Sequence, residues 1–425
     1  MHPLTTLIKE DMCPSLGVTE PGAIALAVSR ARKELKGDIR HIRVEMNSGM
    51  YKNAFTCGIP GTSHVGAVYA AALGALAGDP DLSLEALAHI TSQDIQRAEA
   101  MVKAHMVEII MAEITPEIFI RATVVASDGQ CTVVIRHTHT NIVSVSTASD
   151  GEMIPKEEPL YVEAKDAAIH QYTFDDLYAY AMTVDTKELT FFKNAWELNL
   201  DLLSAGLAEP RTVILHHLYR TNGDRFFSND SLNSAQLLCA GAVEARVLGV
   251  GKPAMSITGS GSHGIIAVMP LYAIAECEHY PEDLLLRAAA FSCLITQYIK
   301  EYSGRLSALC GCGIAAGTGM ACGAAMLRGM SREEIIMVLN HMALGITGMI
   351  CDGGNHGCAI KCITAVDAAF RAVDMVAHGI EIDPCHGICG SAPEDTMRNI
   401  GQIASPGMIG TERVIVEIMA QKLGR

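Results

Sequence analysis

At 425 residues the chain is long enough for two or three domains, or for one large core with an inserted portion. Its formal net charge of −15 excludes a nucleic-acid partner, whose phosphates need a basic face, and is ordinary for a cytoplasmic protein. Hydrophobic residues make up 49% and aromatics only 5%, so the interior is expected to be built from Ala, Gly, Met, Leu and Ile.

The first eleven residues lack the basic-then-apolar pattern of a signal peptide. The 14 cysteines are therefore expected to be reduced, which favours metal or catalytic roles over disulfides. Gly17-Val-Thr-Glu-Pro-Gly22 precedes a helical run from Ala23 to Leu35, with Thr19 as its expected cap and Pro21 near its first turn. A loop ahead of a helix offers free N–H groups that can hold a carboxylate; plain capping explains it equally well. Glu20 is a candidate acid or base, or a partner for the helix dipole.

His41 to Asn47 alternates Ile42, Val44 and Met46 with polar residues, which is strand periodicity. The loop from Ser48 to Ser63 carries Lys52, Asn53 and Pro60-Gly-Thr62. Lys52 can contact a substrate carboxylate or be a solvated surface lysine. Helices are expected over 64–78, 84–93 and 94–105. Val107 to Ile114, Ile118 to Ala126, Cys131 to His137 and Ile142 to Thr147 then read as strands of an antiparallel meander. Between the last two lies His137-Thr-His-Thr-Asn141, where His139 reads as a polar site residue rather than a metal ligand.

Asp150 to Pro159, charged and with two prolines, reads as an exposed connection. It separates an expected mixed α/β domain over 1–160 from a mainly helical domain over 161–425. From Phe174 to Val247 the pattern is helical, with caps at Asp185-Thr-Lys-Glu and Ser228-Asn-Asp-Ser. Gly259-Ser-Gly-Ser-His-Gly264 then feeds the apolar run Ile265 to Ala275. Such a turn can cradle an anion on its amides, and without a Gly-Lys-Ser/Thr ending a carboxylate suits it better than a phosphate. His263 is a candidate base or hydrogen-bond donor, or a packed core histidine.

Leu284 to Tyr302, Leu306 to Leu327, Glu333 to Met349 and Ala359 to His378 complete a helical C-terminal half. Leu306 to Leu327 carries no charge, but without an aromatic belt it reads as a buried central helix, and no membrane partner is expected. Cys385 and Cys389 lack the second pair that a structural zinc site needs. Cys310 lies in a small-residue stretch, while Cys351 and Cys358 bracket Cys-Asp-Gly-Gly-Asn-His-Gly-Cys. Three such thiolates can hold three corners of an iron–sulfur cluster, or they are ordinary buried thiols. Spacing alone does not decide.

The segments Gly348-Met-Ile-Cys-Asp-Gly-Gly-Asn-His-Gly-Cys-Ala-Ile-Lys361 and Arg305-Leu-Ser-Ala-Leu-Cys-Gly-Cys-Gly313 resemble the L-cysteine desulfidase family. That family is related to the alpha chain of iron–sulfur L-serine dehydratases. The resemblance extends to Gly17-Val-Thr-Glu-Pro21, Lys52-Asn53, Ile59-Pro-Gly-Thr62, His139-Thr-Asn-Ile142 and Gly259 to Gly264. It implies a [4Fe-4S] cluster on Cys310, Cys351 and Cys358, and a lyase acting on a small L-amino acid. Glu20, Lys52, His139 and His263 are then the catalytic candidates. Thr19, Asn53, Thr62, Asn141, Ser260, Gly261 and Ser262 are the candidates for binding substrate.

One position departs from the family: Val18 stands where it commonly has cysteine. Serine or another β-substituted amino acid is the alternative substrate, and a non-catalytic or zinc-binding member of the fold is the competing class. The expected fold is α+β, with an antiparallel sheet in the N-terminal and central portion and helices packed around the cluster site. A homo-oligomer is compatible with the sequence, which does not fix the assembly.

Overall fold

The computed structural model describes residues 1–149, 167–304 and 306–423; the expected connection from Asp150 to Pro159 lies outside them. Helices α1 (Pro3–Asp11), α2 (Thr19–Lys33), α3 (Ser48–Asn53), α4 (Ala67–Ala77) and α5 (Ser92–Lys103) alternate with strands β1 (Cys13–Leu16) and β2 (Ile39–Asn47). Four strands follow: β3 (Val107–Glu113), β4 (Phe119–Ala126), β5 (Gly129–Arg136) and β6 (Ile142–Ala148). The rest is helical apart from β7 (Pro253–Ser256): α6 (Phe174–Thr183), α7 (Phe192–Leu207), α8 (Val213–Thr221), α9 (Ser231–Val247), α10 (Gly261–Glu278) and α11 (Glu282–Ser303). Then come α12 (Gly317–Leu327), α13 (Arg332–Ile346), α14 (Gly357–Ala377), α15 (Pro393–Gln402) and α16 (Ile409–Leu423). The fold is α+β, as expected.

The main sheet has the order β3-β2-β4-β5-β6. β4, β5 and β6 form the expected antiparallel meander, but β3 does not join it directly. Instead β2 lies between β3 and β4, parallel to the first and antiparallel to the second. Ile42, Val44 and Met46 of β2 are fully buried, whereas β3 is largely exposed, so the more apolar strand takes the interior position. Helices α2 and α4 cover this sheet. They approach closely because a Cβ at Gly74 would stand 2.9 Å from the Ala25 backbone.

A second core fills the helical half. Gly319 and Gly323 of α12 press on the carbonyl oxygens of Ser292 and Ala288 in α11; a Cβ would lie 2.3 and 2.9 Å away. Small residues therefore replace bulky aromatics as the means of dense packing. α1 and β1 belong to this side of the molecule: β1 pairs with β7, and Thr5 bonds Tyr180 at 2.7 Å.

Two helix expectations are corrected. The expected helix over 84–93 does not form; a short 3₁₀ turn over Pro80–Glu85 leads to Thr91, whose side chain caps α5 from Ser92 in a capping box with Asp94. Leu306 to Leu327 is not one helix either. Leu309 makes an antiparallel bridge to Ile350, and a π-helical turn over Cys312–Ala316 precedes α12. The bond from the Cys310 N–H to the Met349 carbonyl keeps the residues before it out of the helix, against the local apolar pattern. Among the described residues no helix is long and apolar enough to cross a membrane.

Candidate functional site around three cysteines

The bridge between Leu309 and Ile350 fixes the first two cysteines. Cys310 donates its N–H to the Met349 carbonyl at 3.0 Å, and Cys351 donates to the Ala308 carbonyl at 2.7 Å. Cys310 and Cys351 are thus diagonal neighbours on the face opposite Leu309 and Ile350, with Cβ atoms separated by roughly 7 Å. Cys358 enters from the first turn of α14, its N–H bonded to the Asn355 carbonyl at 2.9 Å and its thiol facing the Gly353 carbonyl at 3.4 Å. Between Cys351 and Cys358 the loop is pressed onto the end of α3. Gly353 has φ +98°, and a Cβ there would sit 2.4 Å from the Lys52 carbonyl oxygen. Gly354 rests on Val18, whose methyls lie 3.2 Å from where its Cβ would be.

Cys358 lies within electrostatic reach of both other thiols. Burial pushes Cys358 up to about 12, and the nearby Cys351 and Cys310 add to the shift. Cys310 is drawn down to about 6 by the Cys312 thiol that donates to it, against the cost of burial, with help from the Gly313 N–H and Lys361. Cys312, as that donor, is raised. Burial disfavours the Lys361 charge, but its bond to Asp352 and the neighbouring thiols outweigh that and keep it protonated. Among the described residues no group of three or more His, Cys, Asp or Glu is arranged to hold a single metal ion. A set of cysteine thiols without an imidazole or carboxylate among them has the donor chemistry of an iron–sulfur cluster.

Beside the thiols lies a buried polar chain. The Cys351 thiol is 3.7 Å from Asn53 Oδ1, and Asn53 Nδ2 donates to Glu20 Oε1 at 2.7 Å. His139 Nε2 stands 3.7 Å from the same Glu20 oxygen, close enough to pair electrostatically but too long for a hydrogen bond. That nitrogen is buried without a hydrogen-bond partner. Burial works to raise the Glu20 carboxyl, but His139 and Asn53 outweigh it and hold the pKa below the ordinary value. Lys52, only 1% exposed, donates to Glu412 Oε2 at 2.8 Å and to the Ser307 carbonyl at 2.9 Å. On the far side, His263 Nδ1 pairs with Thr258 Oγ1 at 2.6 Å, and its Nε2 faces Gly311, between Cys310 and Cys312.

Residues 81–417 match the serine dehydratase alpha chain. The chain belongs to that family. Full-length relatives are named UPF0597 proteins. The one from Clostridium botulinum is 38% identical over 424 residues and covers 98% of each chain. That from Caldanaerobacter subterraneus is 37% identical over 422 residues, covering 99% of this chain and 98% of the relative. That from Methanocella arvoryzae is 33% identical over 417 residues, with 98% of each chain covered.

For this serine dehydratase alpha chain family member, the structure brings some but not all of the sequence candidates to the cysteines. Glu20, Lys52, Asn53, His139 and His263 border them. Thr19 does not cap α2: Val18 occupies the cap position with no side-chain bond, and Thr19 is the first helical residue. Its hydroxyl instead accepts from Arg246 Nη2 at 3.2 Å. Ser260 caps α10 without a side-chain bond, Gly261 is its first residue, and Ser262 accepts from Arg246 Nη1 at 2.8 Å. Thr62 turns back on its own loop, donating to the Ile59 carbonyl and accepting from the His64 N–H. Asn141 is exposed and donates to the Arg136 carbonyl within the β5–β6 turn. Sequence reasoning passed over Arg246, Lys361 and Glu412. The signal for Arg246 was present: a charge inside the apolar run Leu237 to Val247.

Proposed function

We propose that this chain is a lyase that removes the β-substituent and ammonia from a small L-amino acid. L-Serine gives pyruvate and ammonia; L-cysteine, with one water consumed, gives pyruvate, ammonia and hydrogen sulfide. Membership of the serine dehydratase alpha chain family supports serine as the first substrate, and the resemblance to L-cysteine desulfidases supports cysteine as the second. The observation that carries the reading is the contact of Cys351 with Asn53, itself bonded to Glu20: thiol set and acid–base carboxylate belong to one site.

A [4Fe-4S] cluster on Cys310, Cys351 and Cys358, with one iron free of protein ligands, would supply Lewis acidity for departure of the β-substituent. The α-proton goes to the Glu20–His139 pair, whose imidazole nitrogen has no competing hydrogen bond. Asn53 fixes the Glu20 carboxylate. Lys52 acts as a positioning residue, since Glu412 and the Ser307 carbonyl engage its ammonium and tie α3 to the segment entering Cys310. His263, its Nδ1 held by the Thr258 hydroxyl, presents Nε2 from the opposite wall. After elimination, the enamine tautomerises and hydrolyses without further catalysis.

The test is anaerobic reconstitution with iron and sulfide, followed by a screen of L-serine, L-cysteine and other β-substituted amino acids for keto-acid and ammonia release. A brown protein that deaminates at least one of them is expected. Serine in place of Cys310, Cys351 or Cys358 should reduce bound iron, whereas Cys322→Ser should retain it. Full iron binding by the three variants, or no turnover of any amino acid by iron-loaded protein, would overturn the reading.

A further inference from the structure

Arg246 is a buried cation that joins two helix entrances. It sits in the last turn of α9, 3% exposed, with Nη1 on Ser262 at 2.8 Å and Nη2 on Thr19 at 3.2 Å. Its Nε is buried without a hydrogen-bond partner and faces the start of α10, where a Cβ at Gly261 would stand 2.5 Å away. Thr19 opens α2 and Ser262 lies in the first turn of α10, so one guanidinium spans both N-termini. Neither helix has a side-chain cap. Both ends carry partial positive charge, offset in part at α2 by the first-turn carboxylate of Glu20.

No carboxylate of the described residues forms an ion pair with Arg246. Glu244, two residues away, is used otherwise: it accepts from the Ile214 and Leu215 N–H groups and caps α8. Glu20 acts on the guanidinium only at longer range, its Oε1 being engaged by Asn53. The thiols of Cys57, Cys312 and Cys358 also neighbour it, and burial keeps that of Cys57 protonated. A buried guanidinium facing two positive helix ends is costly unless an anion completes it.

We propose that Arg246, with the N-termini of α2 and α10, is the binding site for the α-carboxylate of an amino acid. Arg is suited to this because its planar donors match a carboxylate. The assignment rests on the reading of the site as one for a small amino acid, but not on turnover. It predicts selectivity for free amino acids over their amides and over decarboxylated amines.

The experiment titrates the full-length protein, purified anaerobically, with L-alanine and with L-alaninamide. Alanine has no β-leaving group, so binding is read by calorimetry without reaction. L-Alanine is expected to bind, with the amide about 10- to 100-fold weaker. Arg246→Gln should weaken L-alanine by a similar factor and leave the amide unchanged, at unaltered iron content. Gly261→Ala, whose methyl displaces Nε, should weaken L-alanine while keeping the arginine; it decides the matter if Arg246→Gln does not fold. Equal binding of alanine and alaninamide, or of alanine to wild type and both variants, would overturn the proposal. So would no alanine binding at all. Arg246-dependent binding by a protein that deaminates no amino acid would leave this site standing and remove the lyase reading.

Discussion

Gly353 lies directly over the carbonyl of Lys52, so closely that a Cβ there would stand 2.4 Å from the oxygen. Its φ of +98° also belongs to the region that L side chains avoid. The loop between Cys351 and Cys358 is thus held against α3 by a contact only glycine allows. Gly353→Ala should cost at least about 2 kcal/mol of stability and lower bound iron. Gly348→Ala, with nothing within 4 Å, should change stability by less than about 0.5 kcal/mol. Denaturant unfolding and iron analysis of the two variants check this; equal behaviour would mean the loop relaxes freely.

The Lys52–Glu412 ion pair is almost wholly enclosed, with side-chain exposures of 1% and 7%. Removing one partner leaves a buried charge unpaired. Glu412→Ala is expected to lower unfolding free energy by about 3–5 kcal/mol. The double variant Lys52→Met, Glu412→Leu should lose less than the single one, because no bare charge remains. A double-variant loss as large as the sum of the two single losses would show that the pair is not coupled.

Val18 meets the cysteine loop at Gly354, so the departure from the desulfidase pattern falls on the wall of the site. Valine can neither transfer a proton nor bind iron. Val18→Cys should raise sulfide release from L-cysteine relative to ammonia release from L-serine, by about tenfold or more if the new thiol assists proton transfer. Unchanged ratios would make the valine a neutral replacement.

Glu20 has a lowered pKa in the fold, so its ionised form is stabilised relative to the unfolded chain. Its contribution is present above the unfolded carboxyl pKa, about 4.3, and is lost as pH falls through the lower folded value. Unfolding measured from pH 6 downward should show Glu20→Gln with a shallower loss of stability than wild type below about pH 4.3. Parallel profiles would place the acid sensitivity elsewhere.

Much of the helical half was legible because its apolar runs, glycines and caps act locally: Asp185 and Asp230 cap the helical segments they precede. The position of β2 was not, since an alternating strand carries no record of which neighbours it will take. Leu306 to Leu327 misled for a related reason. Its composition favours a buried helix, yet Met349, far along the chain, takes the Cys310 N–H and keeps the segment before it out of the helix. The cysteine pattern pointed to a shared site, whereas the role of Arg246 depends on two helix entrances, distant in sequence, that meet on it only in the fold.

The Lys52–Glu412 contact also sets an order in time. Its partners are 360 residues apart, so during synthesis at about 5–20 residues per second Lys52 waits roughly 20–70 s for its counter-charge. Every cysteine of the site has left the ribosome before Glu412 is made. Closing of the pocket is therefore an event of the nearly finished chain, and a break within α16 would disable a site whose thiols are all still present.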